Sequence, residues 1–225
     1  MSDPLVIHTS CSRPENLPHL AQSFNVPSGL DVRWYISLDT RRVNVSEVEA
    51  GIEKLKQVLS GVDVVTIHEE REEIPCPWNL MRNRLLDRLE GSSFYFYMLD
   101  DDNILHPSFL MSVVPYLSKN TKGLIFSSIY DWEPHPYPWR TKYVIQLARP
   151  EFTRPTQIDT AQYIVHSDII GSTRFIENDY CSDGIFIQTI FNSHPDSFVF
   201  LPQVLVYYNS LNPMKPWVPP LEIGF

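Results

Sequence analysis

Three consecutive carboxylates, Asp100, Asp101 and Asp102, are the densest chemistry in this chain. They close the stretch Ser93 to Asn103 (SFYFYMLDDDN), where an apolar, aromatic-rich run from Phe94 to Leu99 leads straight into them. Such a run suits a strand buried on both faces, as in the centre of a parallel sheet. Beyond the carboxyl end of such a strand lies the crevice where open α/β folds bind ligands. Adjacent aspartates repel one another, and a hard divalent cation converts that repulsion into affinity by taking carboxylate oxygens. The competing reading is a solvated acidic turn closed by Asn103, with Pro107 opening the next helix.

A second residue is out of place. The segment Trp78 to Glu90 reads as a helix, and at about 100° per residue Trp78, Met81, Leu85, Leu86 and Leu89 share one apolar face. Arg82 falls in the middle of that face. A buried guanidinium without a partner is very costly, so Arg82 must meet an anion. That anion is either a core carboxylate or something in the cleft near the aspartates. Arg84 and Arg88 point to the flank and are expected in solvent.

The elements that must position these groups alternate along the chain. Strands are expected at Leu5 to Thr9, Val32 to Leu38 (ending on Asp39), Val62 to Ile67, Phe94 to Leu99 and Gly123 to Ile129. Between them, helices are expected from Pro14 towards Phe24, from Ser46 to Leu59, over Trp78 to Glu90, and from Pro107 to Leu117. Ser46 and Glu49 have the spacing of a capping box. This order implies a mostly parallel sheet with helices on both faces. After Ile129 the rhythm breaks at the proline-rich Asp131 to Pro138, which cannot be helical. Further strands are expected at Tyr143 to Ala148, Gln157 to His166 and Phe198 to Tyr208, with a helix at Ser182 to Phe191. The reading is one domain over 1–225, with parts at 1–130 and 131–208 and a proline-rich tail at 209–225.

Composition bounds the function. Hydrophobic residues at 43% and charged residues at 20% describe an ordinary globular chain. The formal net charge of -9 argues against a nucleic-acid surface. No run approaches the about 18 apolar residues of a membrane span, and MSDPLVIHTS lacks the pattern of a signal peptide. Cys11, Cys76 and Cys181 are odd in number and lack metal-site spacing, which points to free thiols in a reducing compartment, the cytoplasm.

The chain resembles the GT-A fold glycosyltransferases, which move a sugar from a nucleotide-sugar to an acceptor. VIHTSCSRPEN looks like their first nucleotide-contacting segment, WYISLD places Asp39 where an acidic residue lies near the base, and WNLMRNRLLDRL looks like the helix preceding the metal motif. FYMLDDDN looks like the DxD motif, in a form reminiscent of the inverting β-1,3-glucuronyltransferases. IDTAQYIVHSDIIG is similar to the acceptor-side strand, and NDYCSDGIFIQTIF to the segment bearing the catalytic base. The glucuronyltransferases carry a late histidine that contacts the donor diphosphate, whereas Tyr208 or Asn209 stands there in this chain.

The resemblance implies a Rossmann-like three-layer α/β sandwich with a mostly parallel sheet and a small antiparallel acceptor-side extension. It implies that 1–130 is the nucleotide-binding half and 131–208 the acceptor-side half. It implies Mn2+ or Mg2+ bound by Asp102, and donor contacts from Thr9, Ser10, Arg13, Asp39, Arg82, Asp100 and Asp101. Asp183 is the implied general base for a hydroxyl acceptor, with Glu177 and Asp179 as substitutes. Asp183 also suits the first turn of a helix, where the macrodipole favours a carboxylate. His8, His106 and His166 are candidates to assist a metal or phosphate, though a lone histidine near a strand is more often structural. Two rivals remain. One is a haloacid-dehalogenase-like phosphohydrolase with Asp100 as nucleophile and Asp102 as acid-base. The other is a non-catalytic carbohydrate-binding module using the aromatic segments around Trp132 and Trp217.

Overall fold

Strand β1 (Leu5–Cys11) is apolar and lies within the sheet, flanked in parallel by β2 (Val32–Asp39) and β4 (Tyr95–Met98). Beyond β2, β3 (Val62–Glu69) continues the parallel array. The computed structural model describes residues 3–70, 74–117, 120–131 and 143–211. Parallel neighbours need crossover connections, and helices provide them: α1 (Leu17–Gln22), α2 (Val45–Val58) and α3 (Pro77–Arg88). The remaining elements are β5 (Ile104–Leu105), α4 (Phe109–Val113), β6 (Gly123–Asp131), β7 (Tyr143–Gln146), β8 (Tyr163–His166), α5 (Ser167–Ile170), α6 (Ser182–Ser193) and β9 (Phe198–Tyr208). The sheet order is β3-β2-β1-β4-β8-β6-β9-β5, with β7 paired to β6.

The second half departs from simple alternation in one consequential way. Strand β6 does not join β4; β8 lies between them, antiparallel to both. Two reversals return β6 to the direction of β4, and β9 runs parallel to β6. The carboxyl ends of β1, β2, β4 and β9 and the amino end of β8 therefore meet at one edge of the sheet. The parallel sheet with an antiparallel extension follows the expected class.

Alternation along the strands divides the core into two layers. Leu5, Ile7, Trp34, Ile36, Tyr95, Tyr97 and Leu99 pack with α1, α2 and α4 on one face. Val6, Phe94, Phe96 and Met98 pack with Leu85 and Leu86 of α3 and with Phe186, Ile187 and Ile190 of α6 on the other. Among the described residues no helix is long and apolar enough to cross a membrane. All three cysteines are free.

Several boundaries differ from expectation for local reasons. Helix α2 begins at Val45 behind Asn44, with no side-chain cap bond. Glu49 is not half of a capping box; its carboxylate pairs with His68 at 2.9 Å. The expected helix from Pro14 is a 3-10 turn (Pro14–Asn16) followed by α1. The expected helix from Pro107 is shortened to α4, which runs into a 3-10 turn containing Pro115. The first half of the expected strand Gln157 to His166 is a loop and a 3-10 turn, Thr160–Gln162. Its capping box is formed by Asp159, which accepts from Ala161 N at 2.9 Å while its own N–H donates to Gln162 Oε1 at 3.1 Å. The segments around Trp132 and Trp217 lie outside the described residues.

Helix α6 depends on a glycine. A Cβ on Gly184 would stand 2.5 Å from Pro155 Cα and 2.9 Å from its nitrogen. In an unconstrained helix interior, replacing glycine with alanine stabilises by about 1 kcal/mol. Against an unyielding backbone the sign reverses, since overpacking costs about 1–3 kcal/mol. The melting temperature of Gly184→Ala is therefore expected to fall; a rise would show that the Arg154–Pro155 loop yields.

Candidate active site

The three aspartates after β4 point different ways. Phe96 and Met98 face the α3 side of the sheet while Tyr97 and Leu99 face the α1 side, and the alternation carries past the strand end. Asp100 turns to α3, where Arg82 Nη2 donates to its Oδ1 at 2.7 Å. Asp101 turns to the loop after β1. Its Oδ2 accepts from Ser12 N at 2.7 Å, Ser12 Oγ at 3.2 Å and Arg13 N at 2.8 Å, and its Oδ1 accepts from Arg13 Nε at 2.8 Å. Arg13 Nη1 reaches on to Asp102 Oδ2 at 2.9 Å. The loop after Asp102 is anchored as well. Asn209 N donates to Asn103 Oδ1 at 2.8 Å, and Leu211 N donates to the Asp102 carbonyl at 2.8 Å.

The question of Arg82 resolves into both readings at once. Arg82 is 4% exposed and its partner is a carboxylate, as a buried salt bridge requires. That carboxylate is Asp100, so the guanidinium is also at the cleft. Asn79 Oδ1, one turn earlier, accepts from Arg82 Nη1 at 3.1 Å and orients it.

Two further carboxylates close on this group. Thr160 Oγ1 lies 3.3 Å from both Asp100 Oδ2 and Asp159 Oδ1, so β8 delivers Asp159 beside Asp100. Asp183, in the first turn of α6, takes a 2.8 Å bond from Gly184 N to its Oδ1. The buried Tyr163 hydroxyl donates to the Asp183 carbonyl at 3.2 Å and steadies that turn. Burial, then the charge of Asp100, pushes the Asp102 carboxyl up to about 6, against the opposing pull of Arg13. Asp159 is pushed well above the usual carboxylate range by burial, Asp100 and Asp183. Asp183 is raised chiefly by burial, opposed by the Gly184 N–H and Arg82.

These groups line a cleft of about 780 Å³ at the carboxyl edge. Of the residues expected in the site, Ser10, Arg13, Arg82, Asp100, Asp101, Asp102 and Asp183 line it, as do Tyr208 and Asn209. The Ser10 hydroxyl is buried with no hydrogen-bond partner among the described residues. Asp101 has its oxygens occupied by the Ser12–Arg13 loop, so in this arrangement it shapes the site rather than offering itself to a ribose.

Thr9 and Asp39 are not among the lining residues. Thr9 is fully buried; its hydroxyl donates to the Leu99 carbonyl at 2.7 Å and accepts from Trp34 Nε1 at 2.9 Å. Strand alternation points Thr9 into the core and Ser10 out of it. Asp39 is 2% exposed, with its Oδ1 accepting from Arg41 N at 3.2 Å and its Oδ2 3.6 Å from Arg42 Nε. Arg42 in turn lines the cleft.

Neither substitute base lines the cleft. Glu177 is exposed, and Asp179 binds Cys181 N at 2.8 Å to shape the turn before α6. The histidines have structural roles. His166 caps α5 and pairs with Asp3 at 3.0 Å, His106 bonds Ser108 Oγ at 2.7 Å, and His8 bonds Ser37 Oγ at 3.0 Å. Burial, aided by Arg82, pushes the His8 imidazole down to about 3, so it stays neutral. Sequence reasoning missed Asp159 and Tyr180, both of which line the cleft. The signal for Asp159 was its spacing to Gln162, a capping pair inside a segment otherwise read as strand.

Removing one partner of a buried ion pair costs about 3–5 kcal/mol because the other charge is left uncompensated. Arg82→Met is expected to lower the melting temperature strongly at pH 7. The deficit should shrink towards pH 5, because carboxyls with raised folded values take up protons there and the repulsion fades. A deficit that stays constant with pH in thermal unfolding would show that charge compensation is not its cause.

No protein-family model and no curated protein matches the sequence. Solved structures do. TarS of S. aureus matches over 92% of this chain at 15% identity and a TM-score of 0.59. TarS 1–349 in complex with UDP matches over 92% at 14% identity and 0.56. The mannosyltransferase PcManGT from Pyrobaculum calidifontis, in complex with GDP-Man and Mn2+, matches over 96% at 10% identity and 0.60. The chain spans 36%, 60% and 61% of their respective lengths. Such likeness speaks to architecture, and by architecture the chain has the GT-A fold of nucleotide-sugar glycosyltransferases.

Proposed function

We propose that the protein transfers a sugar from a nucleoside-diphosphate sugar to a hydroxyl acceptor, with inversion and with a divalent cation. The observation that carries this reading is the convergence of Asp102 and Asp183 on one cleft that the Arg82–Asp100 pair also lines. The neighbours that hold UDP, or GDP-Man with Mn2+, support the donor class.

Among the described residues no group of three or more His, Cys, Asp or Glu is arranged to hold a metal ion by itself. The donor set nevertheless fits Mg2+ or Mn2+, which bind through one or two carboxylates and complete their shell with phosphate oxygens and water. Asp102, with its elevated carboxyl, is the residue that would hold it, and Asp100 is its neighbour. When bound, such an ion supplies positive charge to the departing diphosphate.

The chain's own residues then divide the work. Arg82 and Arg13 present cationic charge to the donor side of the cleft, where the leaving group gains charge. Ser10 lines the same cleft, on the loop side of β1. Asp183 takes the proton of the acceptor hydroxyl, a role helped by burial that raises its basicity above that of a solvated carboxylate. The phosphohydrolase reading has less support, because Asp100, its nucleophile, is held by Arg82 at 2.7 Å.

Asp183→Asn is expected to leave nucleotide binding with manganese intact and to reduce transfer by about 10²–10⁴-fold. Near wild-type turnover in a transfer assay would remove Asp183 from the mechanism.

Asp102→Asn is expected to abolish the manganese-dependent part of nucleotide binding. The pH dependence has a definite sign. A carboxyl whose folded value lies above its unfolded one destabilises the fold as pH rises past the unfolded value, fully so above about 6, and a bound cation relieves that repulsion. The rise in melting temperature on adding manganese and UDP or GDP should therefore grow as pH passes about 6. A pH-independent rise in the wild type, or the same rise in Asp102→Asn, would count against Asp102 as the ligand.

A further inference from the structure

Tyr180 presents a ring that is 78% exposed, at the edge of the cleft and three residues before Asp183. A single exposed aromatic is ordinary on a protein surface and means little alone. This one is held in place. It sits in the turn between Phe175 and α6, and α3 grips that turn through two asparagines. Asn79 Nδ2 donates to the carbonyls of Ile176 at 3.0 Å and Asp179 at 3.1 Å. Asn83 brackets Phe175, accepting from its N–H at 2.8 Å and donating to its carbonyl at 2.9 Å. Asp179 Oδ1 accepts from Cys181 N at 2.8 Å and fixes the residues on both sides of Tyr180. The ring is thus displayed by a backbone with little freedom to withdraw it. Trp78, from the first turn of α3, lines the same cleft.

The surroundings indicate which ligand such a ring would meet. Tyr180 lines the same cleft as Asp100, Asp159 and Asp183, so the ring shares that space with the carboxylate proposed to take the acceptor's proton. A sugar combines the two properties needed, hydroxyls for carboxylates and an apolar C–H face for an aromatic ring. A serine or threonine side chain, or glycerol, lacks that flat C–H face. Resting on the glycosyltransferase reading above, we infer that Tyr180 is the acceptor-positioning residue and that the acceptor is a carbohydrate whose ring stacks on it.

The test uses the full chain as wild type, Tyr180→Phe and Tyr180→Ala, the side chain being exposed enough that folding should survive either change. Melting temperatures with UDP or GDP and manganese report the donor side. Saturation-transfer NMR with UDP or GDP and magnesium reports the acceptor side, using lactose, cellobiose, mannobiose and N,N'-diacetylchitobiose as probes, against a serine-threonine peptide and glycerol. The expected result is saturation on ring C–H protons of at least one disaccharide, retained in Tyr180→Phe and about three- to tenfold weaker in affinity in Tyr180→Ala. Nucleotide binding should be equal in all three proteins. No disaccharide binding to the wild type, or equal binding in Tyr180→Ala, overturns the inference. If instead neither nucleotide binds the wild type, the donor reading falls, while stacking that depends on Tyr180 still stands by its own measurement.

Discussion

Charge imbalance at the carboxyl edge of the sheet is the constraint on which the site depends. Asp100, Asp101, Asp102, Asp159 and Asp183 converge there, and Arg13 and Arg82 are the guanidinium groups bonded among them. Each arginine takes a different part of the load. Arg13 bridges Asp101 and Asp102, and Arg82 takes Asp100 from beneath. Asp159 relies on Ala161 N and the Thr160 hydroxyl, and Asp183 on the Gly184 N–H. What these contacts do not cancel remains as elevated carboxyls at Asp102, Asp159 and Asp183. Residual repulsion of this kind destabilises the fold, and such strain collects where function requires it.

The topology explains why the charges meet. An uninterrupted parallel sheet would gather only the aspartates after β4 and the loop after β1. Inserting β8 antiparallel between β4 and β6 brings its amino end, with Asp159 and Thr160, to the same edge. The chain then runs through the clipped turn at 175–181 to the first turn of α6, which places Asp183 in the same cleft. Gly184 allows that turn to lie directly against Pro155. One reversed strand thus brings carboxylates from both halves of the chain into one cleft.

Much of this was legible in the sequence, because burial and alternation leave a local record. The apolar run Phe94 to Leu99 marked a central strand, and Arg82 on an apolar helix face announced a buried anion. Thr9 turns into the core while its neighbour Ser10 lines the cleft, and a short apolar strand does not show in advance which of two adjacent hydroxyls faces the core. Asp39 is drawn aside by Arg41 and Arg42, partners whose geometry no spacing rule reports. Asp159 escaped notice because its capping pair lay in a segment whose β-branched and aromatic residues suggested a strand. Tyr180 escaped for a different reason: only tertiary contacts from Asn79 and Asn83 distinguish a displayed ring from an incidental one.

Arg82 and Asp183 show why structural and functional readings of one residue need not exclude each other. Read from spacing, a salt bridge to a core carboxylate and a cationic contact in the cleft are alternatives, since each assigns the guanidinium one environment. In the fold the core ends where the cleft begins, so a single carboxylate, Asp100, belongs to both. Asp183 likewise stands in the first turn of α6, where the macrodipole favours a negative charge, and lines the cleft from that position. The helix terminus restrains the rise that burial imposes on its carboxyl, so the same N–H groups that stabilise the helix keep the group ionisable. At both positions, therefore, the contacts that stabilise the fold are made by groups that also line the cleft.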